Sequence, residues 1–289
     1  MDNITQAEQT TERLNPLNDF AFQKAMGEKG DEPQLMAFLN AVLERTGKGN
    51  IVELEILENK ELPAEVVGGK MSKLDVLAKL ADGTKVNVEV QIKNEYNMEK
   101  RSLYYWSLKF TREFTSGSDY SELTPVVTIN IIDFEYFKSI KDFHTSFHLW
   151  EDNHKKVKLT DACEIHFLEM PKFRALQEQG KTSFENPLHR WLAYFDKNSP
   201  QEVIEEVIKM DAAIQKAQSV MEKIQRDPAL RRAYDQYEKA QSDWVSGING
   251  AKREGIKIGE KRGEKRGRNE ILDMLRSGKS ADEVLRTYA

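Results

Sequence analysis

One cysteine among 289 residues, Cys163, has no partner for an internal disulfide and supplies too little sulfur for a cysteine-based zinc site. A buried, unreactive thiol is expected there. No stretch approaches the roughly 18 consecutive apolar residues of a membrane-spanning helix, so no membrane partner is expected. Neither a Walker A run nor GxGxxG occurs, which removes the sequence basis for a nucleotide cofactor. The segment Met1-Asp2-Asn3-Ile4-Thr5-Gln6-Ala7-Glu8 is acidic and polar where a secretory leader would be basic and then apolar, so a cytoplasmic protein is expected. The five histidines, His144, His148, His154, His166 and His189, form no HExxH pattern. Surface or loop positions are expected for them, although His144 and His148 share a face of a strand-like stretch, as two ligands of a second metal would.

Charge, by contrast, is abundant: 43 Lys+Arg and 48 Asp+Glu, net −5, with 39% hydrophobic residues still enough for a core. It is unevenly spread. Residues 251–289 hold 11 bases and 7 acids, net +4, which leaves −9 on the first 250. An acidic total argues weakly against nucleic acid, but a basic segment on an acidic body does not.

Residues 1–13 are polar and expected to be frayed. Helical spacing begins at Asn18-Asp19 and resumes after Pro33 with Leu35, Phe38, Leu39, Val42 and Leu43, stopping at Gly47. The period then shortens to two. Residues 51–57, 73–80 and 85–93 read as strands, with a polar loop through Pro63, Gly68 and Gly69 between the first two. A helix is expected over about 97–114, carrying Leu103, Trp106, Phe110 and Phe114 on one stripe. Val126-Val127-Thr128-Ile129-Asn130-Ile131-Ile132 suits a buried central strand, and 143–150 and 164–168 read as further strands. Helices follow over 187–197, 200–226 and 228–247. The expected class is α/β: a core over 14–172, a helical extension over 173–249, and a glycine-spaced basic tail with a short helix pair over 250–289. In that tail glycines recur at 255, 259, 263 and 267 among 8 bases and 3 acids over 251–268. It reads as a flexible basic arm that orders on DNA or on a second subunit, or as a solvated linker. Ser280-Ala281-Asp282-Glu283 has the form of a capping box.

The hairpin over 73–93 carries the chemistry. Leu74, Val76, Ala78 and Leu80 share one face, and so do Val86, Val88, Val90 and Ile92. Those faces coincide only if paired residue numbers total an even number, because a one-residue slip swaps every side chain's face. A three-residue turn, Ala81-Asp82-Gly83, satisfies this with Gly83 in the left-handed position. In that register Asp75 lies opposite Glu89, and Lys73 opposite Gln91, on a half-buried polar face. Facing carboxylates repel unless a proton or cation sits between them. Oxygen ligands at this spacing suit Mg²⁺, while on a wet hairpin such a pair is merely surface.

Asp75 followed by Glu89-Val90-Gln91 resembles the D…(E/Q)xK core of the PD-(D/E)XK nucleases. More narrowly, the chain resembles the recombination-promoting nuclease (Rpn) and putative transposase family within that superfamily. The resemblance rests on Asn18-Asp19-Phe20-Ala21-Phe22-Gln23-Lys24, Lys73-Leu74-Asp75-Val76, Asn87-Val88-Glu89-Val90-Gln91, Arg101-Ser102-Leu103-Tyr104-Tyr105-Trp106-Ser107, Tyr120-Ser121-Glu122-Leu123-Thr124-Pro125 and Glu164-Ile165-His166-Phe167. It implies a restriction-endonuclease-like mixed sheet flanked by helices, with a helical C-terminal extension. It also implies Mg²⁺-dependent hydrolysis of DNA, with Mn²⁺ as a substitute, linked to recombination or transposition. Asp75 and Glu89 take the metal-ligand places, and Gln91 stands where the superfamily has lysine. Glutamine carries no positive charge, so Lys93, Lys24 or Lys73, in that order, is expected to supply it. Asp19 is either a further acid near the metal or the cap of the first helix.

Lys100, Arg101, Lys109 and Arg112, with Tyr104 and Tyr105 between them, form a candidate DNA-binding face, or else an amphipathic helix with solvated bases. Lys261, Arg262, Lys265 and Arg266 extend the basic set into the tail, where the C-terminal helices are also the expected route to a homo-oligomer. A cytoplasmic, nucleoid-associated endonuclease is the expected function. The alternatives are a non-cleaving DNA-binding or assembly protein derived from such an enzyme, and a ribonuclease built on the same metal site.

Overall fold

The structure, a computed structural model, describes residues 13–57, 76–112, 114–115 and 117–288. The loop through Pro63, Gly68 and Gly69, together with Lys73 and Asp75, lies outside these residues, as do residues 1–12. Six strands form one mixed sheet in the order β1-β2-β3-β4-β6-β5. They are β1 (Leu54–Leu57), β2 (Val76–Leu80), β3 (Lys85–Gln91), β4 (Val126–Ile132), β5 (His144–Phe147) and β6 (Cys163–Glu169). Strands β3, β4 and β6 run parallel, and the other pairings are antiparallel.

The hairpin register agrees with the alternation of its side chains. Val76 pairs with Val88, Leu77 with Asn87, Ala78 with Val86 and Lys79 with Lys85. The Leu80 N–H donates to the Thr84 carbonyl at 2.8 Å across the turn. Gly83 sits at φ +87°, a left-handed conformation that a side chain would strain.

Helix α3 (Met98–Thr111) crosses from β3 to the parallel β4 and covers one face of the sheet. There Met98 and Trp106 pack with Ile132, Cys163, Ile165 and Phe167. The stripe anticipated on α3 is only partly apolar in effect: Trp106 packs inward, but Leu103 is half exposed and Lys109 is buried. The opposite face, with Val86, Val88, Val90, Val127, Ile129 and Ile131, meets α1 (Asp19–Met26), α2 (Glu32–Leu43), α5 (Pro187–Phe195), α6 (Gln201–Met210) and α7 (Ala212–Arg226). Each fully buried aliphatic side chain there stabilises by about 1.5–3 kcal/mol. Phe38 of α2 stacks edge-on against Trp191 and Phe195 of α5 at 5.8 and 5.4 Å, and Phe22 of α1 lies 5.6 Å from Phe195. Helices α5, α6 and α7, all beyond residue 172, therefore share the hydrophobic core of the sheet.

Two helical stretches differ from expectation. Residues 200–226 form two helices because Asp211 caps α7, accepting from the N–H groups of Ala213 and Ile214 at 3.0 and 3.4 Å. Helix α4 (Met170–Glu178), opened by a proline in its first turn, adds an element that periodicity did not mark. Helix α8 (Pro228–Arg276) runs 49 residues without interruption. The glycine stripe thus lies inside a helix rather than a flexible arm, and 269–276 are its last turns rather than a separate helix. Glu, Lys and Arg between the glycines are good helix formers, and an Arg266–Glu270 pair at 3.0 Å spans one turn. Gly278, at φ +92°, ends the helix, and Ser280 and Glu283 exchange the capping-box hydrogen bonds that open α9 (Ala281–Tyr288). The chain divides into two compact units, Met1–Tyr234 and Asp235–Ala289. Among the described residues no helix is long and apolar enough to cross a membrane.

Candidate active site

Alternation along β3 sends Lys85, Asn87, Glu89 and Gln91 to the face opposite its valines. That face is not half-buried as expected. Helix α3 returns over it, and Glu89 is 1% exposed. A buried carboxylate needs hydrogen-bond donors and opposite charge to offset its desolvation. Asn87 Nδ2 donates to Glu89 Oε1 at 3.0 Å, and Arg101 Nε of α3 lies 3.9 Å from Glu89 Oε2. Arg101 Nη1 also reaches Glu95 at 3.3 Å. Across the ladder Glu89 pairs with Asn130, which accepts from Ser102 Oγ at 3.0 Å and donates to the His166 carbonyl at 2.9 Å. Ser102 thereby seats α3 on the sheet beside Glu89. Gln91 donates to the Lys93 carbonyl at 2.8 Å, and its buried Oε1 accepts from no group among the described residues.

Asp19 occupies the first turn of α1, but Asn18 is the cap, accepting from Phe20 and Ala21 N–H at 3.0 and 3.3 Å. The negative charge of Asp19 acts on half-buried Lys93, whose pKa burial lowers and Asp19 partly restores. Two residues far apart in sequence are thus brought together at the end of β3. Lys24 instead pairs with Glu28, four residues on and just past the end of α1. Of the cations on α3, Lys100 and Arg112 are exposed, Arg101 turns inward to Glu89, and Lys109 is buried with its ammonium over the Tyr105 ring. Tyr104 is exposed and packs edge-on against Tyr105 at 5.6 Å. Lys261, Arg262, Lys265 and Arg266 are exposed on α8. Sequence spacing missed Asn87, Asn130 and Ser102 as supports for Glu89. It also missed Tyr96, an exposed aromatic at φ +58° between β3 and α3.

A family model described as PD-(D/E)XK nuclease family transposase matches residues 16–251, which include β3, α3 and every strand of the sheet. The chain belongs to this family. No curated protein and no solved structure matches it. Nucleases of the PD-(D/E)XK family usually use divalent metals. Among the described residues no three His, Cys, Asp or Glu side chains form a ready cation site. The donors that are described are nonetheless hard oxygens, the Glu89 carboxylate and the orphaned Gln91 Oε1, and that chemistry fits Mg²⁺.

On the opposite face of the sheet this PD-(D/E)XK family chain carries a second buried polar cluster. Here the histidine expectation fails: His144 and His166 are buried on the neighbouring antiparallel strands β5 and β6. His144 Nε2 and His166 Nδ1 share a hydrogen bond at 2.9 Å. His166 Nε2 meets Glu164 Oε1 at 2.8 Å, and Lys48 Nζ meets Oε2 at 2.6 Å, with His148 Nε2 at 3.6 Å from the same oxygen. Burial pushes the Glu164 pKa up, but hydrogen bonds from His166, Lys48 and Thr46 outweigh it and hold the carboxyl well below its ordinary range. Burial, aided by the charges of His166 and Arg45, lowers the His144 pKa from 6.5 to about 3. The unfolded chain therefore takes up a proton that the folded chain refuses. This contribution to stability is fully present above pH 6.5 and is lost as pH falls toward about 3. Urea midpoints measured at pH 7 and pH 5 are expected to fall for the wild type and to fall less for His144→Gln. Cys163, as expected, is a buried thiol whose pKa burial raises.

Proposed function

We propose that the chain is a Mg²⁺-dependent DNA endonuclease in which Asp75 and Glu89 hold the metal, with Mn²⁺ able to replace it. The observation that carries this reading is a carboxylate, Glu89, held at 1% exposure by Asn87 and Arg101 next to a Gln91 oxygen that has no hydrogen-bond partner among the described residues. The hairpin register pairs Val76 with Val88. The reading takes that register one residue further, to Asp75 opposite Glu89. When bound, the metal polarises a phosphoryl oxygen and lowers the pKa of its water. The protein supplies the rest. Asn87 fixes the Glu89 carboxylate, Gln91 Oε1 orients water or metal ligands, and Lys93, with Asp19 beside it, brings charge to the strand end. Lys24 and Lys73 are the remaining candidates for that charge. Lys100, Arg112 and the α8 cations Lys261, Arg262, Lys265 and Arg266 provide phosphate contacts that position the duplex without reading its sequence.

The proposed setting is recombination or transposition in the cytoplasm, with no nucleotide cofactor and with the C-terminal helices as the route to a homo-oligomer. Glutamine at position 91 favours a second reading, a DNA-binding protein that no longer cleaves. Supercoiled plasmid and an RNA of similar length, each incubated with Mg²⁺ or with EDTA, separate these readings. Mg²⁺-dependent nicking of the plasmid that weakens steeply with salt is expected. DNA binding without nicking under any divalent metal overturns the endonuclease reading, and preferential RNA cleavage moves it to a ribonuclease.

A further inference from the structure

Arg101 stands in the first turn of α3, its N–H donating to the Asn97 carbonyl at 2.9 Å. Side chains on a helix lean toward its N-terminus, which here aims the guanidinium at the polar row of β3. Arg101 Nε comes within 3.9 Å of Glu89 Oε2, and its side chain is 14% exposed. Nε itself is buried and makes no hydrogen bond among the described residues. Nη1 is turned to Glu95 at 3.3 Å, and the guanidinium carbon lies 5.4 Å over the Tyr105 ring. The helix holding it is pinned to the sheet by Ser102 on Asn130, the cross-strand neighbour of Glu89. This is a cation fixed beside the carboxylate assigned to the metal. A residue that merely grips the DNA backbone would lie on the outer face of α3, as Lys100 does.

We propose that Arg101 supplies the positive charge that Gln91 cannot, stabilising the scissile phosphate beside Glu89. The inference rests on the endonuclease reading and narrows it to a particular side chain. Arginine keeps its charge at any working pH and presents a planar fork suited to phosphate, so it can take over electrostatic stabilisation without acting as a base. Glu95 and the Tyr105 ring hold that fork in place before substrate arrives, which spares reorganisation in the transition state.

The test compares full-length wild type, Arg101→Met, Arg101→Lys and Lys100→Met in two assays: steady-state plasmid nicking, and Mn²⁺ binding followed by electron paramagnetic resonance. Arg101→Met is expected to lower kcat by about 10²–10³-fold, the scale of losing one preorganised donor, with KM for DNA little changed. Arg101→Lys is expected to recover part of the loss. Lys100→Met is expected to raise KM instead. Removing a cation beside a metal-ligating carboxylate is expected to tighten Mn²⁺ several-fold in Arg101→Met, a readout independent of turnover. If Arg101→Met does not fold, Arg101→Lys carries the same comparison through its kcat. A wild type that nicks while Arg101→Met nicks equally well with unchanged Mn²⁺ affinity overturns the inference alone. A raised KM with unchanged kcat in Arg101→Met also overturns it, returning Arg101 to the DNA-gripping set. A wild type that does not nick with any divalent metal overturns the endonuclease reading, and this inference with it.

Discussion

Glu89→Gln is expected to leave the chain folded and to reduce Mg²⁺-dependent nicking by about 10²-fold or more, because a metal's charge stabilisation is worth several kcal/mol. The substitution is nearly isosteric, and the new amide oxygen still accepts from Asn87 Nδ2, so the loss is one of charge rather than shape. Arg101 retains Glu95 as a counterion, which limits the structural penalty. Asp75→Ala, the facing acid in the proposed register, is expected to match it. Nicking rates of the two variants, normalised to the folded fraction by circular dichroism, provide the check. If the folded Asp75→Ala protein cleaves plasmid as fast as wild type, the metal assignment is lost.

The second large effect concerns stability. Trp191→Ala is expected to destabilise the Met1–Tyr234 unit by about 3–5 kcal/mol, the range for deleting a buried aromatic. Trp191 is fully buried against Phe38, Tyr194 and Phe195, joining α2 to α5 beside the sheet. In a unit of this size each kcal/mol moves the melting temperature by about 2–4 °C, so a fall on the order of 10 °C is expected. Leu103→Ala, on the exposed side of α3, is expected to stay within about 0.5 kcal/mol. Calorimetry showing one cooperative transition shifted by Trp191→Ala supports a common core. A transition that leaves the sheet unaffected would show that α5 folds apart from it.

The two experiments probe parts of the molecule that differed in how far sequence could reach them. The hairpin was legible because two strong signals agreed. Alternation of Leu74 to Leu80 against Val86 to Ile92 demands an even register, and Ala81-Asp82-Gly83 offers the three-residue turn that satisfies it. The shared core of sheet and helices was less so. Each helix advertises an apolar face, as α5 does with Leu188, Trp191, Leu192 and Phe195, but no periodicity says which surface that face will meet. The C-terminal stretch misled for a different reason. Four glycines in thirteen residues each cost about 1 kcal/mol relative to alanine, yet the intervening Glu, Lys and Arg residues, with the Arg266–Glu270 pair, carry α8 through them.

The buried polar groups show where local pattern stops. Asn87, Glu89 and Gln91 sit on the polar side of their strand in any reading of the sequence, and polar sides ordinarily face water. Their burial depends on α3 folding back over them, a choice made by the parallel pairing of β3 with β4. That same crossover turns Arg101 inward and buries Lys109, so two cations of one helix leave the outer surface. The histidines follow the same logic on the other face, where β5 beside β6 brings His144 to His166 across 22 residues. By itself the sequence determined the strand hairpin and the register of its described residues, because both follow from spacing along the chain. Tertiary structure alone decided which polar faces are covered and which charges meet. Those depend on non-local packing, whose free energy comes from surfaces that no window of residues contains.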